Sequence, residues 1–112
     1  MNYSKEVIDG TVYVTINLSE ASLNQSEDFK KFLYDIDEVH PPKIILDLGK
    51  IEYMDSSFIG ALVGGLKNVL SKGGEMALIN INSDVMSLFE LTRLDKVFKI
   101  CDNKEDALQQ LN

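Results

Sequence analysis

The segment that most restricts what this chain can fold into is Lys43-Ile-Ile-Leu-Asp-Leu48, a β-branched run bounded by Pro41-Pro42 and Gly49. Its apolar positions do not alternate with polar ones, so it reads as a strand covered on both faces, the environment of a central strand in a parallel sheet. A sheet covered on both faces needs helices, and helical patterns should therefore alternate with strands along the chain. Upstream, Val12, Val14 and Ile16 alternate with Tyr13, Thr15 and Asn17, the period of a half-buried strand. Asp9-Gly10 before it suits a two-residue hairpin turn with positive φ, which makes Ser4 to Ile8 the partner strand. After Leu18 the period becomes helical. Phe29, Phe32, Leu33, Ile36 and Val39 share a face behind a polar lead-in from Ser19 to Asp28. Ser22 with Gln25, or Asn24 with Glu27, offers a capping box, and Pro41-Pro42 is the expected stop.

Beyond the central strand, Asp55-Ser56-Ser57 precedes a stripe of Ile59, Leu62, Val63, Leu66, Val69 and Leu70 that ends at Ser71-Lys72-Gly73-Gly74. Met76, Leu78 and Ile79 form the next strand, and Ser83-Asp84 caps a short helix carrying Val85, Leu88, Phe89 and Leu91. Val97, Phe98 and Ile100 predict a brief strand, and Asp102 with Glu105 marks the start of a last helix with Ala107, Leu108 and Leu111. The expected order is β-β-α-β-α-β-α-β-α: an α/β fold with a mixed, mostly parallel sheet, an N-terminal antiparallel hairpin and right-handed crossovers. With 112 residues, 45% of them hydrophobic, the chain can bury one core and is too short for two, so one domain over residues 1–112 is expected.

Charge and composition narrow the function. A net charge of −7 repels phosphodiester backbones and anionic membranes, and the eleven Lys and Arg residues are scattered, leaving a protein as the expected partner. The N-terminal residues lack a basic region followed by an apolar stretch, and the longest nearly apolar run, Phe58 to Leu66, is far short of a bilayer span, so a cytoplasmic protein is expected. Cys101 and His40 are each the only residue of their type; neither metal nor disulfide chemistry is expected, and Cys101 reads as a packed thiol. No Gly-x-Ser-x-Gly elbow or nucleotide-binding glycine pattern occurs, so neither a catalytic residue nor a cofactor is expected. Gly60 and Gly64 share a helix face, where close packing on the sheet is favoured over close approach of a partner, and Gly65 reads as a weak point in the helix.

The informative segment is Tyr53-Met54-Asp55-Ser56-Ser57-Phe58-Ile59-Gly60, which puts small polar side chains where the central strand's exit loop enters a helix. Such residues cap the helix, and a hydroxyl there is also accessible and lies beside free amides and the positive helix end. Met54-Asp55-Ser56-Ser57 with Gly60 resembles the phosphorylation motif of bacterial anti-sigma factor antagonists, which are STAS domains. Ile44 to Leu48, the Gly73-Gly74-Glu75 turn and Leu91 to Phe98 resemble that family in order and spacing, so the likeness runs from about residue 5 to 111. The resemblance implies a non-enzymatic antagonist that binds an anti-sigma factor with serine kinase activity and a histidine-kinase-like ATPase fold, and so releases a sigma factor. It further implies that Ser56 is the phosphate acceptor, with Ser57 as the secondary candidate, and that a PP2C-type phosphatase restores the serine.

Asp55, Ser56, Ser57, Phe58, Glu20 and Ser22 form the expected partner-binding set. The family usually carries glycine where this chain has Phe58, which is either a core residue or a partner anchor. Only Glu20 matches in the strand-to-helix loop, where the family's Gly-Glu-Leu-Asp is Ser19-Glu20-Ala21-Ser22 here. The competing reading is a constitutive STAS interaction subunit of a transporter, or of a sigma-independent switch controlling secretion or motility.

Overall fold

The computed structural model describes residues 1–111, and the expected α/β order is present. Strands β1 (Tyr3–Ile8) and β2 (Thr11–Ile16) form the antiparallel hairpin, with Asp9 and Gly10 at φ of +50° and +76° as the two-residue turn requires. Next come β3 (Glu20–Ala21), α1 (Leu23–Tyr34), β4 (Lys43–Asp47), β5 (Tyr53–Met54), α2 (Ser56–Ser71), β6 (Glu75–Ile79), α3 (Ser83–Leu91), a 3₁₀ turn (Leu94–Lys96), β7 (Lys99–Cys101) and α4 (Lys104–Leu111). The main sheet has the order β1-β2-β4-β6-β7, parallel except for the first pair. β4 is its centre: Ile44 and Leu46 face the larger core with α1, α2 and α3, whereas Ile45 faces a smaller core under α4 with Ala77, Ile79, Cys101, Ala107 and Leu111.

Several boundaries differ from expectation for local reasons. The first helix stops at Tyr34, although Ile36 remains in the core. Asp35, Asp37 and Glu38 would crowd negative charge at the negative helix end, and the Leu33 carbonyl turns instead to the Ile36 amide at 3.3 Å. Asn82, not Ser83 or Asp84, caps α3 by accepting from the Val85 amide at 2.8 Å, and Asn103, not Asp102, accepts from the Asp106 amide at 2.9 Å ahead of α4. Val97 is exposed and lies outside β7, because the 3₁₀ turn delays the last strand to Lys99.

Helices α1 and α2 lie side by side, and the contact reverses two glycine expectations. A Cβ on Gly65 would sit 2.4 Å from the Leu33 Cδ1, so Gly65 is where the helices meet, not merely a weak point. Gly60, by contrast, is exposed, and a Cβ there would meet nothing within 4 Å. Among the described residues no helix is long and apolar enough to cross a membrane.

Candidate functional site

The loop from β4 to α2 is fastened on two sides. On one, the Ser19 carbonyl accepts from the Glu52 and Tyr53 amides at 2.8 and 3.1 Å, and Ala21 from the Asp55 amide at 3.0 Å. β3 and β5 thus pair in parallel, with Glu20 opposite Tyr53 and Ala21 opposite Met54. On the other side, the Asn82 side-chain amide donates to the Ile51 carbonyl at 2.8 Å, and Asp47 Oδ1 accepts from the Gly49 amide and Asn80 Nδ2 at 2.9 and 3.2 Å. Tyr13 donates to the other oxygen, Asp47 Oδ2, at 2.5 Å, and burial together with this bond pushes its phenol well above the ordinary value. Each bond satisfies a polar group that the turn would otherwise leave unpaired, so the loop enters α2 from a fixed position.

Asp55 is the pivot. As N-cap of α2 its Oδ1 accepts from the Phe58 amide at 3.0 Å, while Oδ2 accepts from the Leu23 amide, the first of α1, at 2.9 Å. One carboxylate therefore holds the amino-terminal ends of two helices together, both of which favour negative charge. The preceding turn is closed by a capping interaction at Ser22, whose amide and hydroxyl both donate to Gln25 Oε1, at 3.1 and 2.9 Å.

Ser56 and Ser57 occupy the first two helical positions, where backbone amides have no carbonyl of their own helix to meet. Ser56 is exposed, and among the described residues its hydroxyl makes no hydrogen bond. Ser57 is half-buried and lines a shallow groove between α1 and α2 with Leu23, Ser26, Lys30 and Gly60. Glu20 is exposed on β3, one residue from the segment that holds Asp55. The fold thus draws Glu20, Ser22, Asp55, Ser56 and Ser57 into one surface.

Phe58 leaves that set. It is 0% exposed and stacks on Phe29 of α1, with ring centroids 4.6 Å apart. Its neighbour on the helix's inner side is the hydrophobic core, so its side chain is a core residue and not a partner contact. Two exposed apolar residues stand nearer the site than sequence periodicity indicated: Leu23 on α1 and Tyr53 on β5, 66% and 57% exposed. A two-residue strand has no period to read, so only the isolation of Tyr53 from any apolar stripe could have drawn attention to it. Cys101 is buried under α4, and that burial, with Asp106 and Asp102 nearby, pushes its thiol up, as suits a packed residue.

The STAS domain model matches residues 2–107, and the chain belongs to that family. It is 40% identical over 68 residues to the anti-sigma F factor antagonist of Paenibacillus polymyxa, a match spanning 61% of this chain and 58% of that one. Over 108 residues, 95% of this chain and 94% of the other, it is 32% identical to a Thermotoga maritima protein named "Putative anti-sigma factor antagonist". A crystal structure from Thermotoga maritima with the same description superposes with a TM-score of 0.84 at 28% identity, covering 97% of this chain and 93% of that one.

Proposed function

We propose that this chain is a cytoplasmic anti-sigma factor antagonist, acting as one module over residues 1–112, and that phosphorylation of Ser56 switches off its binding to an anti-sigma factor. The relatives' names support the general role. The observation that carries the switch is the exposed, unbonded Ser56 hydroxyl at the start of α2, beside a carboxylate already committed to two amides. The partner would be an anti-sigma factor with serine kinase activity and an ATPase fold like that of histidine kinases. In the transfer, Ser56 Oγ attacks the γ-phosphorus of ATP, its proton is released, and ADP leaves. A PP2C-type phosphatase would hydrolyse the ester and restore the hydroxyl.

A phosphate adds about −1.5 to −2 charges and three acceptor oxygens. At this position the first amides of α2 and the positive helix end would stabilise it, so the domain stays folded while the docking surface changes. The partner then meets a bulky, strongly hydrated dianion where a small hydroxyl stood, and binding is lost through desolvation and repulsion. Ser57 is the secondary acceptor, with its half-buried hydroxyl less open to attack. Glu20 and Ser22 would border the docked partner.

Intact-mass measurement after incubation with ATP and kinase-type anti-sigma factors from the same genome tests this directly. The expected result is one added phosphate, absent in Ser56→Ala and accompanied by weaker partner binding. Stable association with no phosphate transferred would replace the switch with a constitutive module.

A further inference from the structure

Next to the Ser56 surface, β5 and α3 enclose a groove of about 160 Å³ lined by Glu52, Tyr53, Met54, Asp84, Val85 and Leu88. Resting on the proposal that a protein partner docks at Ser56, we infer that this groove seats an arginine side chain of that partner.

The volume selects the kind of occupant. Small-molecule sites begin at roughly 300 Å³, so this groove suits a single side chain. Its floor is apolar: Met54 and Val85 are buried, and Leu88 is partly so. Its rim is acidic, because Glu52 and Asp84 are both exposed and neither joins an ion pair among the described residues. No Lys or Arg lines it. Tyr53 supplies an exposed aromatic ring on the wall.

An apolar stem, a flat cation that stacks on an aromatic ring, and N–H donors for two carboxylates together describe arginine. A lysine ammonium has no plane to stack and keeps its water more tightly. Asp84 by itself is explained by its place in the first turn of α3, where it complements the helix dipole. Glu52 and Tyr53 have no such explanation, since neither lies in a helix. The groove is also continuous with the proposed docking surface: Met54 is two residues from Ser56, and Tyr53 pairs with Glu20.

The test is an amide-resolved NMR titration of the full chain with N-acetyl-arginine-N-methylamide, run beside its citrulline counterpart, which keeps the shape and lacks the charge. Saturable shifts confined to residues 52–54 and 84–88 are expected with the arginine probe. They should weaken about fivefold with citrulline and in the Glu52→Gln/Asp84→Asn double variant, the loss expected for exposed charge pairs. Absence of shifts in the groove up to the solubility limit, or equal shifts with citrulline, would overturn the assignment. The titration uses neither kinase nor phosphate, so it can fail while the Ser56 switch stands, and the mass experiment can fail while the groove stands.

Discussion

Replacing Phe58 with alanine separates two roles that sequence left open. Phe58 is fully buried, and its ring stacks on Phe29 at 4.6 Å, so the variant loses the transfer free energy of an aromatic side chain and leaves a cavity between α1, α2 and the sheet. Large-to-small changes of this kind cost about 3–5 kcal/mol, of which the ring pair contributes roughly 0.5–1.5. For a chain of 112 residues that is a fall in Tm of about 13–21 °C. Urea unfolding followed by circular dichroism gives the free energy, and a cycle with Phe29→Ala should return the ring-pair coupling. Partner affinity measured on the folded fraction should be nearly unchanged. A stability loss below about 1 kcal/mol together with lost binding would refute the core assignment and make Phe58 an anchor after all.

Other substitutions probe the frame around Ser56. Asp55→Ala should cost about 2 kcal/mol in urea unfolding and raise hydrogen exchange at both the Leu23 and Phe58 amides, whereas Asp55→Asn, which can keep the Phe58 bond, should cost about half as much. Gly65→Ala must displace Leu33 Cδ1 and should destabilise by about 1–3 kcal/mol, while Gly60→Ala, with open space around its new methyl, should stabilise by about 0.5–1 kcal/mol. Tyr13→Phe leaves Asp47 Oδ2 without its phenolic donor and should cost about 1–2 kcal/mol near neutral pH. Because folding raises the Tyr13 value above 10.0, that contribution is complete below pH 10.0 and is lost as pH rises through the folded value, so wild type and variant should converge in alkaline unfolding series. Cys101 should react with iodoacetamide much more slowly in the native protein than in urea at pH 8, the buried thiol being held protonated.

Where the pattern had a period and a bounded length, local physics already specified the outcome. β4 announced itself as a two-faced strand, Asp9-Gly10 as a hairpin turn, and Asp55 as a helix cap. What escaped were features defined across the chain. The β3 and β5 pair is only two residues on each side and has no repeat; it exists because Ser19 and Ala21 offer carbonyls to a distant loop. Phe58 lies one position off the main helix stripe, and its burial depends on Phe29 approaching from another helix. Gly60 and Gly65 are alike in sequence terms, yet one faces solvent and the other Leu33, since only the packing of α1 distinguishes them. The link from Asp55 to the Leu23 amide spans 32 positions and has no local signature.

That link ties the geometry of two segments to a single side chain. Lengthening or shortening the turn before α1 would pull Leu23 away from Asp55 and disturb the start of the helix that carries Ser56. Divergence among proteins built this way should therefore proceed by exchanging exposed side chains such as Glu20, Leu23 and Tyr53 on a frame of constant loop length, with insertions and deletions accumulating elsewhere. If the proposed function holds, partner choice can then change many times without altering the position of the serine.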